Sequence, residues 1–197
     1  HGLGNFKSII SAVKHLDYDV KLTNDKGTIK KSDKIIIPGV GNFKFGMKNL
    51  QDSNLIDVLN EEVLIKKKLI LGICLGCHLF FDSSEESEGT PGLGWVQGKV
   101  KKFKSSKILP VTHVGWNKVE YTDNLLFKNF SNDSLMYFNH SFYPSFKKKN
   151  TKEIAKTKYI NNFSSIFNKE NIFGIQPHPE KSQKDGIQFI KNFLKIC

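Results

Sequence analysis

Gly72-Ile73-Cys74-Leu75-Gly76 sets a cysteine between two glycines, directly after the apolar run Leu69–Ile73. A buried strand, a tight glycine-flanked turn and a helix start are the layout of a nucleophile elbow, which pushes the middle side chain out at the top of a sheet. At such a helix start, unpaired N–H groups and the dipole favour thiolate on Cys74. The same residues allow other readings. Cys74-Leu75-Gly76-Cys77-His78 matches the haem c attachment pattern, and the two cysteines alone match a thiol redox motif. A strand ending in a small apolar cysteine would need no chemistry at all.

Haem attachment demands export to an oxidising compartment and an open pocket around His78, yet the motif lies between apolar Leu69–Ile73 and Leu79–Phe81. A thioredoxin-like domain is much shorter and carries its motif nearer its start. An elbow cysteine that attacks an acyl carbon instead needs a base and oxyanion donors. The distant histidines His1, His15, His113, His140 and His178 are the candidates for the base. His15 falls on an amphipathic helix and reads as solvated. His178 follows Ile172–Gln176, which reads as a buried strand, and Pro177 and Pro179 hold the chain around it. Glu180, two residues on, can reach the same side and accept from the imidazole. Cys74, His178 and Glu180 thus form a Cys-His-Glu triad by role. The bland reading is a loop histidine beside a surface charge. Pro38-Gly39-Val40-Gly41 follows another apolar strand, and its glycines let the Val40 N–H point at a substrate oxygen. A ligand-free strand–helix turn is the alternative there.

The elements that must position these groups show in the periodicity. Phe6, Ile9, Ile10, Val13 and Leu16 predict a helix, followed by a short strand near Tyr18–Leu22 and a second at Lys34–Ile37. Phe43, Met47 and Leu50 suggest a short helix. Leu55 to Leu64 suggests a stronger one, capped by Asp52 or Ser53, before the strand into Cys74. After residue 90, short β-rich segments dominate: Trp95–Phe103, Lys118–Tyr121, Leu135–Tyr143, Glu153–Tyr159, Phe163–Asn168 and Ile172–Gln176. A final helix presents Ile187, Ile190, Phe193 and Leu194, with Ser182 and Asp185 placed as a capping box. The expected fold is α/β: a mostly parallel central sheet flanked by helices, with an antiparallel β extension and a flavodoxin-like core. No repeat, linker or low-complexity tract divides residues 1–197, so one domain is expected.

Composition narrows the classes. The net charge is +11, and all 30 basic residues are Lys. Arg is the residue that reads guanine edges and clamps phosphates bidentately, so specific nucleic-acid recognition is not expected. The lysines are spread out, apart from Lys66–Lys68 and Lys147–Lys149, and read as solvated faces. Three cysteines give no disulfide framework, and no stretch is long and apolar enough to span a bilayer. No signal peptide opens the sequence. These features point to the cytoplasm, with neither membrane nor metal involved.

Four segments, in order, carry a resemblance: Pro38-Gly39-Val40-Gly41-Asn42-Phe43, Gly72-Ile73-Cys74-Leu75-Gly76, His113-Val114-Gly115-Trp116-Asn117 and His178-Pro179-Glu180-Lys181-Ser182. Together they resemble class I glutamine amidotransferases, in particular the glutaminase-subunit branch of imidazole glycerol phosphate synthases. The resemblance covers nearly the whole chain, with the family's first strand lacking. It implies that Cys74 attacks the side-chain amide of glutamine, that His178 moves the protons, and that Glu180 orients His178. It implies oxyanion donors at Gly39, Val40 and Gly41, and glutamine contacts from Gly76, His78, His140, Ser141 and Phe142. Ammonia would pass to a (β/α)8-barrel cyclase/synthase subunit that makes imidazole glycerol phosphate and an aminoimidazole carboxamide ribotide. Asn5, Trp116 and Lys181 would face that partner, and no cofactor is implied. His78 stands where the family carries Gln, Cys77 where it carries Met, Pro177 where an aromatic is common and Thr112 where Pro is common. These departures suggest an alternative: a paralogue feeding ammonia to amidination of a surface-polysaccharide sugar.

Overall fold

In the computed structural model, residues 3–39, 41–104, 107–131, 133–147 and 150–196 are described, the side chains of residues 3–5 excepted. The central strand is β2 (Leu69–Ile73). It pairs in parallel with β1 (Lys34–Ile37) on one side and β11 (Ile172–Ile175) on the other. The sheet then continues antiparallel through β10 (Asn162–Lys169), β9 (Lys152–Lys158) and the short β6 (Glu120–Tyr121). The expected α/β fold with an antiparallel extension is what forms.

Strand alternation explains the two cores. Ile70 faces one apolar cluster, while Leu71 and Ile73 face the other. One face is covered by α1 (Leu3–His15), through Ile9, Ala12 and Val13, and by α6 (Gln183–Leu194), through Phe189, Ile190 and Phe193. On the opposite face lie α2 (Lys26–Lys31), α4 (Ile56–Asn60) with a π-turn over Glu61–Ile65, and a small second sheet. That sheet joins β3 (Phe81–Ser84), β4 (Val96–Lys102) and β8 (Phe142–Phe146). A separate two-stranded ribbon joins β5 (His113–Lys118) to β7 (Leu135–His140). The remaining helices are α3 (Phe43–Asp52) and α5 (Leu75–His78).

Several expectations need correction. The strand near Tyr18–Leu22 does not form. A groove lined by Phe6, Ile9, Val20, Leu22 and Ile36 separates this segment from β1, so no ladder joins them. Neither Asp52 nor Ser53 caps the helix after residue 55. Asp52 ends α3 and Ser53 is its C-cap; Asn54 then turns the chain at φ 53°, and Leu55 precedes α4 without a side-chain cap bond. The segment Leu135–Tyr143 is not one strand. It breaks at Ser141, and its halves pair in different sheets.

Candidate active site

β2 hands over to α5 through Cys74, whose backbone sits at φ 50°, ψ −112°. A positive φ at a non-glycine costs roughly 1–3 kcal/mol and persists only where neighbours over-determine it. Here the Cys74 N–H donates to the Ile175 carbonyl at 2.8 Å, and the Cys74 carbonyl accepts from Cys77 N at 3.0 Å. Gly39 and Gly76 pack directly on one another: a Cβ on Gly39 would strike Gly76 N, and one on Gly76 would strike the Ile37 carbonyl. Gly76 is therefore a packing residue and not part of the cavity wall, contrary to expectation. The expected helix start after the elbow is present. It is one turn, Leu75–His78, so its dipole gives the sulfur little help.

His178 follows β11 and is buried beside Cys74. Its Nδ1–H donates to Glu180 Oε1 at 2.8 Å, which leaves Nε2 for the hydrogen bond with the Cys74 side chain. The backbone around it is stapled to the ribbon. His178 N donates to the Tyr137 carbonyl at 2.8 Å, Ser182 Oγ donates to the His178 carbonyl at 2.6 Å, and Tyr137 N donates to Ser182 Oγ at 2.9 Å. The expected capping box is thus absent: Ser182 precedes α6 but braces His178, and Asp185 accepts from Leu135 N at 3.2 Å. Burial alone would lower the His178 pKa. The hydrogen bonds with Cys74 and Glu180 outweigh it and raise the ring to about 9.

A cavity of about 240 Å³ opens over this corner. Cys74, His178, Gly41, His78, His140, Ser141 and Phe142 line it, as the sequence led one to expect, and so do Glu86, Thr112 and Asn139, which it did not. Gly41 adopts φ +111°, a conformation open to glycine. Gly39 is buried beneath the wall, while Val40 lies outside the described residues. Glu86 Oε2 accepts from Phe43 N at 2.7 Å, and partial burial raises its pKa against that bond. Thr112 and Ser141 join their hydroxyls at 2.8 Å.

His140, in the cavity wall, is the first of a chain of neutral imidazoles that continues behind it to His113. His140 Nδ1–H donates to the Phe142 carbonyl at 2.7 Å, so its Nε2 accepts from His113 Nδ1–H at 3.1 Å. The remaining His113 nitrogen, Nε2, then accepts from Asn117 Nδ2 at 3.1 Å. Burial lowers His113 to about 4 and His140 well below its ordinary value. His78 is also lowered to about 4, by burial against the opposing effect of its bond to Gln176.

The rival chemistries at residues 74–78 do not fit. Cys77 is fully buried in the core cluster on the opposite side of the sheet from Cys74, where burial pushes its thiol well up. His78 spends its Nε2–H on Gln176 Oε1 at 2.7 Å, so neither residue can reach a haem. Of the residues assigned to a partner surface, Trp116 is 45% exposed on the ribbon beside exposed Val114 and Leu135. Lys181 lies close by, its Nζ 5.6 Å from the Tyr137 ring centre. The side chain of Asn5 is outside the described residues.

The chain is similar to known proteins along its whole length. The sequence model for "Glutamine amidotransferase class-I" matches residues 1–197. A Methanococcus maripaludis protein called imidazole glycerol phosphate synthase subunit HisH 2 is 44% identical over 197 residues, covering 99% of this chain and 96% of its own. A protein of the same name from Vibrio vulnificus is 41% identical, covering 98% and 91%. Among solved structures, a glutamine amidotransferase crystal structure superposes with a TM-score of 0.70 at 16% identity, covering 96% of this chain and 92% of the other. That likeness speaks for the fold alone. Matched along its full length by the family's sequence model and by close relatives, this chain belongs to the class-I glutamine amidotransferase family.

Proposed function

We propose that the chain is the glutaminase subunit of an imidazole glycerol phosphate synthase. It hydrolyses glutamine to glutamate and ammonia through a thioester on Cys74 and hands the ammonia to a synthase partner in histidine biosynthesis. The single observation that carries this reading is His178, hydrogen-bonded to both Cys74 and Glu180 in one cavity wall.

In this reading the glutamine side-chain amide enters the 240 Å³ cavity with its carbonyl carbon over Cys74 Sγ. With its pKa at about 9, the His178 ring already carries the proton on Nε2 when Cys74 Sγ attacks. The S–C bond forms as the carbonyl oxygen takes up negative charge; His178 then gives its proton to the amide nitrogen, the C–N bond breaks and ammonia leaves. The first water to reach the thioester carbon, deprotonated by His178, releases glutamate. Glu180 holds the ring through Nδ1 and stabilises its charged form, the orienting role of the third triad member. The backbone of Gly39–Gly41 supplies the oxyanion contact, with Gly41 in the cavity wall. Glu86 offers the wall's one carboxylate among the described cavity residues, suited to the substrate α-ammonium. His140, Ser141 and Phe142 form the opposite side, braced by the Thr112–Ser141 bond.

The partner is a (β/α)8-barrel subunit docked on the face that carries Trp116 and Lys181, with ammonia crossing the interface. Exposed apolar and aromatic side chains grouped on one ribbon face suit such docking. A second acceptor is suggested by the departures from the family pattern at Cys77, His78, Thr112 and Pro177. This is the paralogue reading, with ammonia used to amidinate a surface-polysaccharide sugar.

The experiment is glutamate release from glutamine, measured with and without a barrel subunit. Wild-type protein is expected to release glutamate when the partner is present, and Cys74→Ala to release none. Silence in both, with Cys74 left unmodified by a glutamine-like electrophile, would refute the reading. Co-purification with one barrel protein or the other separates the two acceptors.

A further inference from the structure

Gln176 is wholly buried, stands between β11 and His178, and has no role in the chemistry described so far. Gln176 and Pro177 form a bend just past the end of β11 and lead the chain to His178. This brings the chain past Cys74, whose N–H donates to the carbonyl of Ile175. The result is a pair of polar groups on the sulfur. His178 approaches with its ring, and Gln176 Nε2 donates to Sγ at 3.8 Å. The rest of the Gln176 amide is fixed as well. His78 Nε2–H donates to Gln176 Oε1 at 2.7 Å, and Gln176 N donates to the Ser165 carbonyl at 2.8 Å. An amide whose oxygen is occupied by a buried donor presents its NH₂, and not its oxygen, to the sulfur.

We propose that Gln176 is a catalytic contact that donates a hydrogen bond to the Cys74 sulfur, and that His78 is the positioning residue that keeps the amide the right way round. The proposal rests on the reading of Cys74 as nucleophile. A donor at sulfur stabilises it whenever it carries negative charge. This happens twice in the cycle: before the S–C bond forms, and again as water attacks the thioester carbon and the C–S bond breaks, with the electron pair returning to sulfur. It also gives His78 a function suited to its chemistry. The ring spends its Nε2–H on the amide behind the nucleophile, so that proton is not available to the substrate.

The test reads the sulfur directly and needs no glutamine. Alkylation of Cys74 by iodoacetamide at pH 7 is followed by peptide mass mapping, which separates it from Cys77 and Cys197. Gln176→Met keeps the volume and removes the N–H; it is expected to slow alkylation about tenfold, the scale of one hydrogen bond to a charged group. His78→Phe is expected to slow it in the same direction by a smaller factor. His78→Gln, which can still donate to the amide oxygen, should stay within about twofold of wild type. A wild-type alkylation rate in Gln176→Met overturns the proposal. Should that variant fail to fold, the His78 pair decides, and equal rates in His78→Phe and His78→Gln overturn it. Glutamate release, measured in parallel, reports on the proposed function separately, because alkylation can shift in a protein that never hydrolyses glutamine.

Discussion

Two walls of one cavity treat buried imidazoles in opposite ways. At the strand-end corner, His178 is raised to about 9. On the ribbon side, His140 in the wall and His113 behind it are lowered and held neutral. All three are buried, and burial alone pushes every one of them down. The partners make the difference. His178 meets a carboxylate and a sulfur, both of which favour a charged ring. The ribbon histidines meet each other, a backbone carbonyl and an amide, which are satisfied by neutral tautomers. The corner is therefore built to move protons, and the ribbon wall to keep its shape.

The largest expected effect that breaks this contrast is loss of the sulfur. Cys74→Ala should drop glutamate release to background, a loss of at least about 10³-fold, while co-elution with the partner subunit is unchanged. Loss of the complex along with activity would show that the corner and the docking face are not separable.

Next in size is Glu180→Gln, which turns the corner into something like the ribbon wall. Without the carboxylate, the His178 ring should titrate below about 9 by NMR, and kcat/KM should fall about 10²- to 10⁴-fold. An unchanged titration would mean that Glu180 does not sustain the charge.

Stability against pH sharpens the comparison, because the two walls have opposite signs. His78 and His113, at about 4, and His140, well below 6.5, stay neutral when folded but take up protons on unfolding. Unfolding free energy should fall as pH drops from 6.5 toward 4, by about 1.4 kcal/mol per pH unit for each such histidine. His178 contributes stability that is complete below 6.5 and lost as pH rises through 9. Urea unfolding at pH 5, 7 and 9 should therefore show a maximum near neutrality. A flat profile would contradict both assignments.

Trp116→Ala should weaken the complex about tenfold in a titration with the partner, leaving Cys74 alkylation as in wild type. Smallest of all, His113→Phe removes the donor to His140. It should raise KM for glutamine about fivefold with kcat within about twofold, the mark of a wall that shapes binding and not chemistry.

What the sequence revealed followed the range of each signal. Cys74 and Glu180 were legible because their contexts are local: a glycine on either side of one, and a two-residue step from His178 for the other. The strands of the parallel half were legible from continuous apolar runs. Gln176 was missed because a glutamine at a strand end carries no chemical flag, and the bend at residues 176 and 177 that turns it toward the sulfur has no period to read. Ser182 and Asp185 were misread as a cap since their real partners, Tyr137 and Leu135, lie some 45 and 50 residues away in sequence. Glu86 and Thr112 reach the cavity from loops, where no periodicity marks the inward side. The segment 18–22 has strand composition but pairs with no strand among the described residues, and composition cannot report that.

The most direct test of the central claim is to trap the intermediate. The complex with its partner subunit is mixed with glutamine, quenched in acid within the first turnover and digested, and the peptides are analysed by mass spectrometry. The account predicts a glutamyl thioester on the peptide that contains Cys74, absent from Cys74→Ala. Glutamate released with no adduct on Cys74 at any quench time, or at an undiminished rate by Cys74→Ala, would contradict it.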